Sequence, residues 1–417
     1  MSFIKDPSLA AQGKLNLEIA EKRMGALLEL KKRFEKEKPF AGLTIGMALH
    51  VTKETGILVR TLTAGGAKVA ITGCNPLSTQ DDVAAALAEE ENVLVWAYKG
   101  ESKEDYYRFL TAVIETQPDI TIDDGCDLVT EIHQKHPHLL KKLLGGCEET
   151  TTGIIRLQSM QRDNALKIPM IAVNDNKTKH LMDNYYGTGQ STFDGIIRST
   201  NLLIAGKTVV VLGYGSCGKG VAMRAKGMGA QVIVTEVDNF AALQAVMDGN
   251  RVLRMSEAAK LGDLFITVTG NLHVIRWEHM EVMKDAAVLA NSGHFDCELD
   301  LQALESKSRR KRRVRHYLDE YLMPSGRVLY VAGEGRLVNL ASAEGHPSEV
   351  MSLSFLGQAL ACEYLVKNRG SLKAEVITLP PEIDDFISGL QLEAMELKID
   401  QLTPEQKKYL ASWQEGT

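Results

Sequence analysis

Apolar residues recur at helical spacing over residues 13–36, where Leu17, Ala20, Met24, Leu27 and Leu28 share one face and charges take the other. Beyond this stretch the period changes repeatedly. Strand-like runs fall at Leu43–Ala48, Lys68–Ile71, Val93–Tyr98, Asp119–Asp123 and Ile168–Val173, with helical patterns between them, the first running through Leu58. From Ser191 the signals sharpen. Ser191-Thr192-Phe193-Asp194 reads as a capping box with Ser191 at the N-cap, and Phe193, Ile196, Ile197, Leu203 and Ile204 continue at helical spacing until Gly206. Strands are then expected at Lys207–Leu212, Gln231–Glu236, Leu264–Val268, Ala287–Asn291 and Val328–Ala332. Alternation of this kind predicts an α/β fold of two doubly wound parallel-sheet domains. A Rossmann-type domain at 186–344 is inserted in a domain formed by 1–185 and 345–390, and 391–417 make a short helical tail, with a helix at Pro404–Trp413.

Length agrees with two cores, because one hydrophobic core stops growing at roughly 250–300 residues and the chain has 417. A net charge of -6 and 6% aromatic residues argue against a nucleic-acid partner, which needs a cationic field and stacking surfaces. No run nears the ~18 apolar residues of a membrane span, and the charged N-terminus is no secretory signal. Six cysteines without a CxxC pair suit free thiols in a reducing cytoplasm. The basic run Arg309–Arg313 reads as a solvated loop or helix face. His133, His136 and His138 are broken by Pro137 and read as a surface helix end, so no metal is expected.

The 35 glycines concentrate informatively in Gly213-Tyr214-Gly215-Ser216-Cys217-Gly218-Lys219-Gly220. This motif follows an expected strand and opens an expected helix. Gly213 would allow the turn, Gly215 would let backbone reach a pyrophosphate, and Gly218 would let helix pack on strand. Glu236 ends the next strand, placed for ribose hydroxyls and repulsive to a 2′-phosphate, with no nearby Arg to offset it. NAD is therefore favoured over NADP.

Five polar loops gather at strand ends in the other domain. They are His50–Thr55, Asn75 with Ser78–Asp81, Asp123–Asp127, Glu148–Gly153, and Asn174-Asp175 through Lys179, Asp183 and Asn184. Each alone could serve helix capping, but five in one domain predict a polar substrate crevice outside the strand carboxyl ends.

Together with Gly293-His294-Phe295-Asp296, Glu334–Asn339 and Gly345-His346-Pro347, these stretches resemble the S-adenosylhomocysteine hydrolase family over nearly the whole chain. The resemblance implies reversible cleavage of S-adenosylhomocysteine to adenosine and homocysteine with a recycled NAD. Oxidation of the 3′-hydroxyl acidifies C4′–H, its loss expels homocysteine, water adds, and the ketone is reduced again. It implies Lys179 and Asp183 at the 3′-hydroxyl, with the Lys179 pKa lowered by burial or tuned by Asp183. Glu149 would hold the ribose hydroxyls, His50 and Asp124 would handle protons at C4′ and C5′, and His294 and Asn184 would orient the sugar and nicotinamide. Thr52, Glu54, His346 and Met351 would line the purine pocket. Thr150, Thr151 and Thr152 would reach the nicotinamide side, Glu236 the adenosine ribose and Asn339 the carboxamide. A variant of the family cleaves S-inosylhomocysteine, and a non-catalytic nucleoside- and NAD-binding relative is a further alternative.

The chain is most similar to the shorter archaeal and thermophilic-bacterial type. It has Ser216-Cys217 where eukaryotic members have Asp-Val, Ala241 where they have Asn, and Glu344 where a Met usually lies beside the purine. The resemblance implies a homotetramer. The tail ends at Glu415-Gly416-Thr417 without the Lys and Tyr that reach a neighbour's cofactor, so NAD is expected to exchange more readily.

Overall fold

The computed structural model describes residues 1–414. Its first sheet is built from β1 (Phe3–Ile4), β2 (Thr44–Ala48), β3 (Lys68–Thr72), β4 (Val93–Ala97), β5 (Ile120–Asp123), β6 (Gly145–Glu148) and β7 (Met170–Ala172). The second holds β8 (Thr208–Leu212), β9 (Gln231–Thr235), β10 (Arg251–Val252), β11 (Leu264–Thr267), β12 (Ala287–Asn291), β13 (Arg310–Arg315), β14 (Leu318–Leu322) and β15 (Val328–Ala332). The chain then returns, and β16 (Val376–Ile377) pairs with β7. The strand orders are β1-β4-β3-β2-β5-β6-β7-β16 and β10-β9-β8-β11-β12-β15-β14-β13. The first sheet is wholly parallel; in the second, β14 pairs antiparallel with both of its neighbours. The strand order turns between β2 and β5 in the first sheet and between β8 and β11 in the second, and such a reversal opens a crevice at the strand carboxyl ends.

Helices cover both faces of each sheet, which is why the central strands are apolar throughout. Along β8, Val209 and Val211 enter one buried cluster while Val210 and Leu212 enter another on the opposite face. The returning helix Ser348–Lys367 packs Phe355, Leu356, Ala359 and Leu360 into the core built by Leu27, Phe34, Ile45 and Met47.

The structure corrects three local expectations and adds a strand. The helix over 13–36 is two helices, Ala10–Arg23 and Gly25–Glu37. They break at the fully buried Met24, beside a glycine that weakens helix, and both keep their apolar faces on one core. Ser191 is not an N-cap. A π-helix, Thr178–Gly187, runs directly into the helix Thr188–Thr200, so Ser191 lies buried inside it and accepts a hydrogen bond from Asn339 Nδ2 at 3.0 Å. The basic run is neither loop nor helix face but lies on edge strand β13. Arg312 and Arg313 pair across the hairpin with Glu320 and Asp319, charges that discourage edge-to-edge pairing with another sheet. Finally, β6 gives no strand signal in the sequence because Gly145-Gly146-Cys147-Glu148 has no strand-forming side chain; a Cβ at Gly146 would lie 2.3 Å from Thr121 Oγ1. His133 does lie near a helix end, its Nδ1 donating to Val129 O at 2.8 Å. The tail helix spans Pro404–Leu410, and Glu415–Thr417 lie outside the described residues.

Candidate active site

The two crevices face one another across a single cavity of about 910 Å³. Loops after β2, β5 and β6 form one wall, and loops after β8, β11 and β12 form the other. Every residue given an individual site role from the sequence lines it except Gly218, which lies beneath the glycine loop; of the five polar loops, the one carrying Asn75 and Ser78–Asp81 does not reach it.

The densest charge sits on the π-helix. Five-residue hydrogen bonding widens each turn, so Lys179, Asp183 and Asn184 converge on one side. Lys179 Nζ lies 2.9 Å from Asp183 Oδ2 and 3.4 Å from Glu149 Oε1, and donates to Asn184 Oδ1 at 2.7 Å. Asn184 Nδ2 donates to Asn174 Oδ1, and Asn174 Nδ2 to Thr151 Oγ1, each at 3.0 Å. His346 Nδ1 lies 2.6 Å from Asp183 Oδ1, so this imidazole is bound to the charged cluster as well as to the cavity wall. Glu149 is held from behind by Ser354 and by Gln358 Nε2 at 2.5 Å.

These contacts set the protonation states. Burial pushes the Lys179 ammonium down, but Asp183 and Glu149 outweigh it and hold its pKa above the usual lysine value. The lowered value expected from burial is therefore reversed, because two carboxylates share this one cation. Burial would raise Asp183, yet His346 and Lys179 hold it well below the carboxylate range. Glu149 goes up, burial prevailing over Lys179.

Asp124 joins the two walls. Its Oδ2 lies 3.3 Å from His50 Nε2 on the first-sheet side, and its Oδ1 lies 3.5 Å from His294 Nδ1 on the second. These three offer ligand atoms within 4.8 Å of one another, the one such trio among the described residues. His50 Nδ1 is 2.8 Å from Ser78 Oγ and 3.2 Å from Cys74 Sγ. Burial lowers the His50 pKa to about 4 despite Asp124, leaving a neutral imidazole at pH 7.

The cofactor wall is built mostly from backbone. Gly213 has φ +107, and a Cβ at Gly218 would sit 2.1 Å from Gly213 O, so helix and loop touch directly. Gly215 begins the helix Ser216–Gly227 without a side-chain cap, leaving its first N–H groups for an anion. A Cβ at Gly215 would meet nothing within 4 Å, so the space in front is open. Glu236 accepts from Tyr214 N at 2.6 Å, Val237 N at 2.7 Å and Asp238 N at 3.1 Å, which fixes its carboxylate at the end of β9. Asn339 Oδ1 is buried and unpartnered on the cavity wall, an acceptor that suits a carboxamide N–H. The residues therefore fit a dinucleotide. Arg254, distant from Glu236 in sequence, lines the same cavity and qualifies the expectation of no neighbouring Arg.

Some contributors escaped sequence reasoning. Ser354 and Gln358 could have been found as polar positions four apart inside an apolar helix. Cys74 and Arg254 carried no local signal.

The family model described as "S-adenosyl-L-homocysteine hydrolase, NAD binding domain" matches residues 184–345, and "S-adenosyl-L-homocysteine hydrolase" matches 2–136. An adenosylhomocysteinase of Aquifex aeolicus is 57% identical over 99% of both chains. The chain belongs to the S-adenosyl-L-homocysteine hydrolase family. An S-inosyl-L-homocysteine hydrolase of Methanocaldococcus jannaschii is 55% identical over 100% of both, and an adenosylhomocysteinase of Saccharolobus solfataricus 54% over 100% of both. Among solved structures, a dipicolinate synthase polypeptide of Bacillus halodurans shares the fold, with TM-score 0.50 and 15% identity over 79% of this chain and 99% of its own. The match to the NAD binding domain model makes NAD the cofactor of the second domain. No helix among the described residues is long and apolar enough to cross a membrane.

Proposed function

We propose that the protein reversibly hydrolyses S-adenosyl-L-homocysteine to adenosine and L-homocysteine with an NAD regenerated in each turnover. The observation that carries this reading is the Lys179–Asp183–Glu149 cluster, which shares one cavity with His50–Asp124–His294 and the glycine loop. Thr150–Thr152, Gly213–Gly218, Glu236 and Asn339 would hold NAD. Bound NAD supplies reversible hydride transfer at C3′ of the ribose. Lys179 handles the 3′-hydroxyl proton. Its own proton has a nearby acceptor in Glu149, whose basicity burial raises. Neutral His50 accepts the C4′ proton; Asp124, between two imidazoles, relays that proton from His50 to the departing sulfur, then takes one from the incoming water and passes it through His50 back to C4′. Glu149 and Asn184 hold the ribose hydroxyls while His294 closes the site from the other wall. Thr52, Glu54, His346 and Met351 face the purine.

A carboxylate at Glu54 accepts from adenine's exocyclic N–H or from hypoxanthine N1–H, and relatives of both names stand at 57% and 55% identity. S-inosyl-L-homocysteine is therefore the second reading. Residues 1–185 with 345–390 are taken as the substrate domain, 186–344 as the cofactor domain and 391–417 as an assembly tail. Leu397, Ile399, Leu410 and Trp413 are exposed there, which supports assembly through the tail; a cytoplasmic homotetramer without nucleic-acid or membrane partners is proposed. Thiol release from the two thioethers, compared side by side, tests the reading. Homocysteine is expected from S-adenosyl-L-homocysteine; faster release from the inosyl compound would favour the second reading, and release from neither would refute both.

A further inference from the structure

Glu344 does not line the cavity, although the family pattern places its position beside the purine. Its side chain turns outward and is 56% exposed, with Oε2 2.9 Å from Lys53 Nζ and Oε1 3.3 Å from Arg198 Nη1. Lys53 Nζ lies in turn 3.4 Å from Glu54 Oε1, and that oxygen also accepts from Ser348 Oγ at 2.7 Å. Gln80 reinforces the junction: its Oε1 accepts from Lys53 N at 3.0 Å and its Nε2 donates to Glu344 O at 3.4 Å. Lys53, Glu54 and Gln80 follow strands of the first sheet. Arg198 lies on the helix leading into the second, and Glu344 on the segment leading back.

The Lys53 ammonium thus stands between a cavity carboxylate and an interdomain one. Glu54 is only 2% exposed, and a buried carboxylate is costly unless a cation and hydrogen bonds hold it. Moving the domains apart would carry Glu344 and Arg198 away from Lys53. The ammonium would then turn to Glu54 alone or to water, and the Glu54 carboxylate would lose its fixed orientation. Two events that share one cation have linked equilibria: base binding favours the closed arrangement, and the closed arrangement favours base binding.

We infer that Lys53 and Glu344 are positioning residues for the nucleoside base, forming an interdomain bridge that orients Glu54 when the domains close. The inference rests on reading the Glu54 end of the cavity as the base site. It goes beyond that reading because neither residue touches the cavity contents.

Lys53→Met, Lys53→Arg, Glu344→Gln and the Lys53→Met/Glu344→Gln pair would be compared in NAD-loaded protein. The measurements are KM and kcat for thiol release, the Kd for adenosine, and Tm. Lys53→Met and Glu344→Gln should each raise KM and Kd by roughly tenfold, within the usual range of coupling. The double variant should be little worse than either single. Lys53→Arg should restore near-normal binding, and kcat should stay within about twofold. A purely structural role would lower Tm and leave KM unmoved, and that result would overturn the inference. Additive single effects, or a Glu344→Gln variant with unchanged KM, would also overturn it. Wild-type protein that binds no nucleoside would refute the reading beneath it as well, whereas wild type that binds with variants unchanged would refute the bridge alone.

Discussion

The two sheets share an architecture and divide the work differently. The second sheet lines the cavity with peptide N–H groups, one anchored carboxylate at Glu236 and one unpaired amide oxygen at Asn339. The first lines it with buried charge: Lys179, Asp183, Glu149 and Asp124 are each at most 7% exposed. Backbone donors bind an anion without changing protonation, so a cofactor can remain through many cycles. Buried charges packed against one another have shifted proton affinities, and shifted affinities are what proton transfer requires. Under the proposed function, one topology yields a holding site and a reacting site according to what its loops carry.

Three substitutions probe that division, in decreasing order of expected effect. Lys179→Ala should cut homocysteine release by about 10²–10⁴-fold while cofactor extracted per protein chain stays near wild type. Equal loss of both would mean the walls are not separable. Gly218→Ala should act through the cofactor instead. Its Cβ would stand 2.1 Å from Gly213 O, so the loop must shift, and NAD affinity measured by calorimetry should fall by more than tenfold, with a lower Tm. Glu236→Gln keeps the shape but gives up a charge-assisted hydrogen bond. About 1 kcal/mol is at stake, giving roughly fivefold weaker NAD binding with kcat unaltered at saturation.

A further effect, outside that order because it is read in stability, depends on pH. His50 titrates at about 4 in the fold against an ordinary 6.5, so between those values the unfolded chain binds more protons. Its contribution is complete above pH 6.5 and is lost as pH falls toward 4. Melting curves of wild type and His50→Gln should therefore diverge over that window, the wild type falling more steeply. Parallel curves would show that the imidazole is not held neutral.

Legibility followed the range of the interactions. The glycine loop, the apolar central strands and Glu236 were readable because strand, turn and helix start are adjacent in sequence. Most cavity residues were readable because they end strands. The π-helix was not: Ser191 satisfies every local rule for an N-cap, yet helix continuity was decided by packing on both sides. Nor was the direction of the Lys179 shift, set by Asp183 at 2.9 Å and reinforced by Glu149, thirty positions earlier in the chain and 3.4 Å away. Glu344 shows the same limit, since only the folded chain turns it from the base pocket toward Lys53.

The sequence by itself determined the two-sheet fold, the NAD loop and the residue types needed for the chemistry, because periodicity and turn chemistry are local properties of the chain. Tertiary structure alone decided which carboxylates share a cation, which imidazole stays neutral and which charge spans the domains. Those outcomes depend on Coulomb and desolvation energies, and these are set by distances of a few ångströms between segments far apart in the chain.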